Sequence, residues 1–318
     1  MKPMLSVCAL TLLSLPTFAH DVPATPVPLS IPELLIAFGW DNAEKTEVKT
    51  EKLEDGFYIL FGLGGNIAVS SGEDGVLIVD DQFTEMMPKL RRAMREQGSD
   101  EIDFAINTHW HFDHADGNKV LGTEGTWLIS QTNSRDMMMK DNVINLVVAA
   151  TEQEAYPSSA LPHITFHENM QFYFNDERVD LLHFGPAHTT GDAVVFFRGR
   201  NAVHMGDIYN NAGYPFIDAG NGGTLDGMLH TCRTVLDFIN ADTVVIPGHG
   251  PLASTIDLQS YVNMLDFVYK EMKSMIASGM SLDEIQASGL TSTWDEHLGD
   301  PTMFIDRSYA SLTSRYHE

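Results

Sequence analysis

The chain has 318 residues, with 44 Asp and Glu residues against 19 Lys and Arg residues, and its formal net charge at pH 7 is −25. Hydrophobic residues make up 43% of the sequence, so the chain can form a sizeable core and is not disordered or collagen-like. The acidic balance weighs against nucleic acid and against an anionic membrane surface as partners, because both attract basic proteins. The charge by itself names no substrate, although a small-molecule substrate is compatible with it.

The N-terminal segment, residues 1–19, has the pattern of a secretory signal peptide. A basic residue, Lys2, precedes an apolar run, and Ala19 ends a segment that signal peptidase can read. The apolar run is interrupted at Pro16, and a membrane anchor needs about 20 apolar residues. We therefore expect cleavage after Ala19, an exported protein of the periplasm or the medium, and no membrane anchor after cleavage. A buried N-terminal helix is the alternative interpretation.

The two cysteines allow no intramolecular disulfide after this cleavage, because Cys8 lies in the predicted signal peptide and only Cys232 remains. Cys232 lies in a segment with helical apolar spacing. That spacing favours a small buried hydrophobic residue over a reactive thiol.

The first half of the chain begins with a proline-rich segment, and we expect residues 20–55 to form an extended leader. From Gly56 onward, strands are predicted at FYILFG, NIAVSS and GVLIVDD. A helix is predicted over TEMMPKLRRAMREQG, ending at Gly98, and strands follow at DFAINT and TWLIS. A further helix is predicted from Thr132 to Ala150.

The second half repeats this plan. Strands are predicted at QFYFN, VDLLHF, AVVFF and NAVHM, then a helix from Thr224 to Asn240, then a strand at TVVIPG. Helices are predicted near 257–279, 281–288 and 303–315. Strands that are followed by helices, twice over, indicate two sheets with helices on their outer faces.

The most informative stretch is AINTHWHFDHADG, where a buried strand leads into a cluster of polar residues. His109 and His111 are two residues apart in an extended segment, so both can face one ion. Asp113 and His114 fall outside that register and can turn toward a second ion. Burying these groups without a partner is costly, because charged imidazoles repel each other and lose hydration. The cluster therefore predicts a metal site.

Three more candidate ligands follow strands in the second half of the chain. His188 lies in GPAHTTGD, Asp207 lies in NAVHMGD, and His249 lies in TVVIPGHGP. Each signal is weak alone. Together with the first cluster they place seven candidate ligands at strand ends, where a rigid scaffold normally carries functional loops.

The order of these motifs, HxHxDH, then His, then Gly-Asp, then Pro-Gly-His-Gly, resembles the metallo-β-lactamase superfamily from about Gly56 to Pro251. Asp80, at the end of GVLIVDD, fits the first motif of that family. The resemblance implies an α+β fold, a four-layer αββα sandwich with a dinuclear site between two sheets. We expect residues 56–252 to form the catalytic domain and the helices of 253–318 to pack on it.

The resemblance also implies ligands for two divalent ions. The first ion would be bound by His109, His111 and His188. The second ion would be bound by Asp113, His114 and His249, and Asp207 would bind both. Two close ions can share a water and lower its pKa toward ~7, and Asp113 is expected to orient this nucleophile. The nitrogen and oxygen donors favour zinc and are also compatible with manganese or iron. His111 stands where the diiron redox branch has a carboxylate, which favours hydrolysis.

Three residues are candidates for support around the ligands or for an oxyanion contact: Asp80, Asp192 and Asn221. Asp192, in HTTGD, is expected to hydrogen-bond a ligand histidine. Asn221 lies in AGNGGTLDG and has two interpretations of equal weight, an oxyanion donor or a member of a Gly-rich turn. His183 and His204 alternate with apolar residues and are expected to be structural.

The substrate is less well determined by the sequence. Asp207 occupies a position that is Cys in the main lineage of zinc β-lactamases, and it looks more like glyoxalase II and the lactonases. No Lys occurs between Lys140 and Lys270, so the Lys that pairs with a β-lactam carboxylate is missing. The export signal, in contrast, suits a β-lactamase. We expect a dinuclear hydrolase that opens a cyclic amide or ester, with β-lactam turnover weak if it occurs. A lactonase or thioesterase-like hydrolase is the first alternative. A metal-binding accessory protein without turnover is the second, and the complete ligand set disfavours it.

Overall fold

The computed structural model describes residues 25–39, 42–99 and 101–313, and the predicted signal peptide at 1–19 lies outside them. The strands in these residues are β1 (Val27–Leu29), β2 (Lys49–Glu54), β3 (Phe57–Phe61), β4 (Ile67–Gly72), β5 (Gly75–Val79), β6 (Phe104–Ile106), β7 (Trp127–Gln131), β8 (Asn142–Asn145), β9 (Ala149–Gln153), β10 (Ile164–Phe166), β11 (Asn169–Phe174), β12 (Glu177–Leu182), β13 (Val194–Phe197), β14 (Ala202–His204) and β15 (Val244–Ile246). The helices are α1 (Ile31–Ala37), α2 (Met87–Glu96), α3 (Phe112–Ala115), α4 (Asn118–Glu124), α5 (Thr132–Met138), α6 (Leu225–Phe238), α7 (Thr255–Ala277), α8 (Leu282–Ala287), α9 (Asp295–Leu298) and α10 (Thr302–Leu312).

Two sheets face each other at the centre of the fold. The first has the strand order β10-β7-β6-β5-β4-β3-β2, and the second has the order β11-β12-β13-β14-β15. Alternate residues of each strand point into the space between them, since side chains alternate along a strand. On β3, Ile59 joins the core between the sheets, whereas Tyr58 and Leu60 join a core on the outer face. The ring of Phe57 lies 4.8 Å, centroid to centroid, from that of Phe197 on the opposite sheet.

Helices cover both outer faces. Leu90 of α2 packs with the outward residues of the first sheet. On the other side, Val235 of α6, Leu265 of α7 and Phe304 of α10 share one core with Phe196 of the second sheet. The four layers are therefore helix, sheet, sheet and helix, which confirms the predicted α+β class and the αββα sandwich.

Most helix predictions are confirmed with shifted ends. The predicted helix from Thr224 to Asn240 is α6, and those at 257–279, 281–288 and 303–315 are α7, α8 and α10. Residues 314–318 lie outside the described part. The single turn α9 was not predicted. Among the described residues, no helix is both long enough and apolar enough to cross a bilayer.

The predicted helix from Thr132 to Ala150 is wrong beyond Met138, where α5 ends. The following residues form the antiparallel hairpin β8–β9, and β1 pairs with β9 in parallel. The hairpin turns at Val147, which has a positive φ of 71° and whose N–H donates to the Asn145 side chain. β-Branched residues such as Ile144 suit a strand, and pairing with β1 decides the outcome.

The extended leader predicted for residues 20–55 is also wrong within the described residues. It contains α1, where the Ser30 N–H and hydroxyl both donate to the Glu33 carboxylate, at 2.9 and 2.7 Å. This capping arrangement starts a helix despite the neighbouring prolines. The leader also contains β2, which pairs with β3 across a turn at Gly56. The first sheet therefore begins before Gly56.

Cys232 provides a simple test of the outer core. The side chain is buried in the core around α6, and burial raises the pKa of its thiol, which keeps it protonated and unreactive. We expect protein that starts at residue 20, and so lacks Cys8, to react with Ellman's reagent only after denaturation. Full thiol reactivity in the native protein would contradict this placement.

Candidate metal centre

Seven His and Asp side chains meet where strands of both sheets end. The first sheet supplies the loop after β6 and the short helix α3, and the second sheet supplies the loops after β12, β14 and β15. The structure brings together all seven ligands predicted from the sequence: His109, His111, Asp113, His114, His188, Asp207 and His249.

One group consists of three buried histidines. His109, His111 and His188 each offer a ring nitrogen, and the three atoms lie within 4.8 Å of one another. The Nε2 atom of His188 lies 3.0 Å from the Nδ1 atom of His111. Three facing nitrogens at this spacing match three corners of a tetrahedral metal site.

The second group lies beside the first. Asp113, His114 and His249 also offer atoms within 4.8 Å of one another, with His249 Nε2 3.1 Å from Asp113 Oδ2 and from His114 Nε2. Asp207 lies between the groups, since its Oδ1 atom is 3.1 Å from His114 Nε2 and its Oδ2 atom is 3.7 Å from His188 Nε2. Its two oxygens can therefore face two different ions.

The hydrogen bonds on the far side of the rings favour a bound cation. His111 Nε2 lies 3.0 Å from Asp218 Oδ2, and His188 Nδ1 lies 2.8 Å from the Phe216 carbonyl oxygen. Both partners can only accept, so these two nitrogens donate to them. In their neutral forms the two rings would turn lone pairs toward each other across 3.0 Å, and the buried Nε2 atom of His109 has no hydrogen-bond partner. A cation between the rings would satisfy all three nitrogens.

Burial and charge set the protonation of both groups. Burial lowers the pKa of His109 and of His188, which keeps these rings neutral, as metal ligands must be. Burial would also lower the pKa of His249, but the Asp207 and Asp113 carboxylates raise it to about 9. For Asp113, burial opposes ionisation, yet the His114 and His249 imidazoles hold the pKa of the carboxyl below its usual value. The second group is thus a tightly paired set in which a divalent ion would take the place of protons.

Asp80 supports this centre from behind. Its Oδ2 atom accepts from His114 Nδ1 at 2.7 Å and from the Thr108 hydroxyl at 2.8 Å, and its Oδ1 atom accepts from the Thr108 N–H at 2.7 Å. Asp80 is fully buried and has a positive φ of 65°, an uncommon backbone conformation. These bonds direct His114 Nε2 toward His249 Nε2 and Asp207 Oδ1.

The other two supporting residues do not lie where the sequence suggested. Asp192 accepts from the N–H groups of Ala187 and Thr189 and so holds the loop around His188, without a hydrogen bond to that ring. Asn221 directs its amide to both oxygens of Asp218 and to the Val143 carbonyl, outside the cleft lining. Of its two interpretations from the sequence, this placement favours the member of the Gly-rich turn before α6 over the oxyanion donor.

Asp218 was not predicted from the sequence. It forms a hydrogen bond with His111, although the two residues are 107 positions apart in the chain. Asp218 stands in FIDAGNGG, three residues before Asn221. A carboxylate beside a Gly-rich loop was the available signal, but nothing in the sequence connected it to His111.

The loop between β3 and β4 explains the Gly-rich GLGG motif. The Gly65 N–H donates to the Asp113 carbonyl at 2.9 Å, and a Cβ atom on Gly65 would lie 2.2 Å from the His114 ring. This hairpin tip packs directly on the candidate centre.

Gly65→Ala should therefore damage the centre. The added methyl group must push the His114 ring aside, because its carbon would lie 2.2 Å from that ring. Overpacking a buried site in this way costs about 1–3 kcal/mol of stability. We expect a lower thermal midpoint and weaker metal binding, measured by calorimetry and by elemental analysis. Gly220→Ala is the control, since its Cβ would lie no closer than 3.8 Å to another atom. Equal metal content in both variants would contradict the packing shown here.

A cleft of about 630 Å³ opens over the centre. Its floor includes four of the seven candidate ligands: His111, Asp113, Asp207 and His249. Its walls are mainly apolar and come from α1, from β3 and β8 with the loops that follow them, and from the C-terminal helices. The described residues that line this cleft include no Lys or Arg.

A four-layer αββα sandwich with a His and Asp cluster at the strand ends is the hydrolase fold of a large superfamily. Residues 60–249, more than half of the chain, match the family described as the metallo-beta-lactamase superfamily, and the chain belongs to it. The resemblance seen in the sequence is thereby confirmed.

Solved structures share this fold at low sequence identity. The metallo-beta-lactamase from Pontibacter korlensis is 15% identical, with a TM-score of 0.57, and the match covers 69% of this chain and 99% of that one. The DIM-1 metallo-beta-lactamase is 16% identical, with a TM-score of 0.55, over 70% and 99%. The inverting sec-alkylsulfatase Pisa1 from Pseudomonas sp. is 12% identical, with a TM-score of 0.62, over 82% of this chain and 50% of that one. These likenesses show the fold alone.

Proposed function

We propose that this protein is a dinuclear metal-dependent hydrolase that opens a cyclic amide or ester, with zinc as the favoured ion. The observation that carries this proposal is the arrangement of seven side chains as two facing triads with Asp207 between them. When bound, two such ions supply hydroxide from water at neutral pH and polarise a carbonyl group.

The residues divide this work. His109, His111 and His188 hold the first ion through one ring nitrogen each. Asp113, His114 and His249 hold the second, and Asp207 contacts both. These seven assignments are part of the proposal and are supported by the distances above.

Asp113 has a further task in this scheme. Its carboxylate lines the cleft, and its lowered pKa keeps it ionised at neutral pH, so it can accept a hydrogen bond from the attacking water. We assign to Asp113 the orientation of that water toward the substrate carbonyl. The low exposure of Asp113, at 8%, limits competition from bulk solvent.

The cleft favours one group of substrates over another. A β-lactam carries a carboxylate, and the described residues that line the cleft include no Lys or Arg to pair with it. The first candidate is the hydrolase of a cyclic amide or ester, and weak β-lactam turnover is compatible with it. A lactonase or thioesterase-like activity is the second candidate. The signal-like N-terminus supports an exported protein, in the periplasm or the medium.

Metal analysis and a substrate panel test the proposal. Purified protein should contain about two ions per chain, and a chelator should remove both the metal and the activity, with zinc, manganese and iron compared on re-addition. The panel is nitrocefin, a carbapenem, acyl-homoserine lactones and S-lactoylglutathione. One ion or none would contradict the dinuclear centre. Two ions without turnover of any substrate would favour a metal-binding accessory protein.

A further inference from the structure

We propose that the cleft selects an uncharged substrate that carries a hydrophobic chain, and that α1 and the segment around α10 form the wall that binds this chain. The inference rests on the proposed hydrolase and names its substrate class. It concerns parts of the chain that family membership does not describe, because α1 and α10 both lie outside residues 60–249.

The N-terminal part of the wall is the inner face of α1. Leu34 is 4% exposed and fixes the helix to the core of the first sheet, where Ile144 of β8 also packs. Leu35 and Phe38 are half-buried and line the cleft. Ile36 is 75% exposed and does not line it. One face of α1 is therefore anchored and presents apolar groups to the cleft, and the other faces solvent.

The C-terminal part of the wall completes an apolar surface. Leu298, Met303 and Phe304 line the same cleft, and the Phe304 ring stacks on Tyr214 with centroids 5.3 Å apart. Phe304 belongs to the core of the second sheet, so this side is anchored as well. Two segments that are distant in sequence thus hold apolar groups over one metal centre, which favours a hydrophobic chain next to the reacting carbonyl.

The charges of the cleft exclude an acidic chain. Its lining residues of the Asp, Glu, His, Lys and Arg types are four members of the candidate centre and one further carboxylate, Asp300. Asp300 accepts from the N–H and hydroxyl of Thr302 at the start of α10, so its charge is held at the cleft. A carboxylate on the substrate chain would lose hydration against an apolar wall that offers it no Lys or Arg side chain and has the Asp300 carboxylate beside it. An uncharged chain avoids both costs.

A ring analogue that the enzyme does not need to hydrolyse provides the direct test. We expect N-alkyl-2-pyrrolidones to bind the metal-loaded protein about fourfold more tightly for each added methylene from butyl to octyl, measured by calorimetry. A probe of octyl length with a terminal carboxylate should bind at least about tenfold more weakly than the octyl probe. Affinity that does not change with chain length, or equal binding of the acidic probe, would overturn the proposal.

Variants place the chain on this wall. Phe38→Ser and Leu35→Ser should each flatten the dependence of affinity on chain length from butyl to octyl. Ile36→Ser, on the outer face of the same helix, is the matched control and should keep the full dependence. Met303→Lys should strengthen binding of the acidic probe. If Ile36→Ser weakens octyl binding as much as Phe38→Ser, the assignment of the wall is wrong.

Hydrolysis of uncharged γ-alkyl lactones of increasing chain length separates this inference from the proposed function. Turnover that rises with chain length supports both. Chain-dependent binding of the pyrrolidones, without turnover of any lactone or of any substrate in the panel, supports the apolar wall and contradicts the hydrolase. If short and long lactones are turned over at equal kcat/KM, and pyrrolidone affinity does not depend on chain length, the hydrolase is supported and the proposed apolar wall is contradicted.

Discussion

Asp207→Ala is expected to reduce the bound metal from about two ions per chain to fewer than one, and to lower kcat/KM by at least about 1000-fold. The carboxylate of Asp207 faces both triads, 3.1 Å from His114 Nε2 and 3.7 Å from His188 Nε2, so its loss removes a ligand from each ion. Losing metal-based stabilisation of the transition state costs several kcal/mol, and each 1.36 kcal/mol is a factor of ten in rate. Elemental analysis and steady-state kinetics on a substrate identified by the panel measure both effects.

The control for this variant is Asp237→Ala, which removes the same group from the exposed end of α6. It should keep two ions and full activity. Comparison with Asp113→Ala adds resolution, because Asp113 faces only the second triad and its loss should leave about one ion. Two tightly bound ions in Asp207→Ala would contradict the bridging position.

Asp218→Asn should weaken metal binding about 10- to 100-fold while the protein stays folded. The Asp218 carboxylate accepts from His111 Nε2 at 3.0 Å and thereby leaves a lone pair on Nδ1, which faces His188. A neutral amide of the same size is a weaker acceptor, and it can also present its own N–H to the ring. The ring then loses both its orientation and part of its basicity.

Competition with a chromophoric chelator measures this affinity, and the thermal midpoint of the metal-free protein shows that the fold is kept. Asp226→Asn, an exposed residue in the first turn of α6, is the matched control and should bind metal like the unaltered protein. An unchanged affinity in Asp218→Asn would mean that His111 is oriented by its other contacts.

Local sequence patterns predicted those strands and helices whose buried residues can be recognised within a few consecutive positions. Short apolar runs identified strands that are buried on both faces, such as β3 with Ile59 inside and Leu60 outside. The same reasoning failed from Met139 to Ala150, where strand β9 pairs with β1 from more than 100 residues away. Apolar runs of that length suit a helix or a strand equally, so the partner decides.

By itself, the sequence determined the candidate ligands, because three histidines and an aspartate within six residues have no other reason to be together, and because the later motifs follow strands. It also determined the acidic charge and the lack of Lys along the middle of the chain. Only the tertiary structure decided what lies around those ligands: Asp218 behind His111, Asp192 away from the His188 ring, and the wall contributed by α1 and α10. Such contacts join residues far apart in the chain, and their geometry depends on how complete layers pack, which no local pattern records.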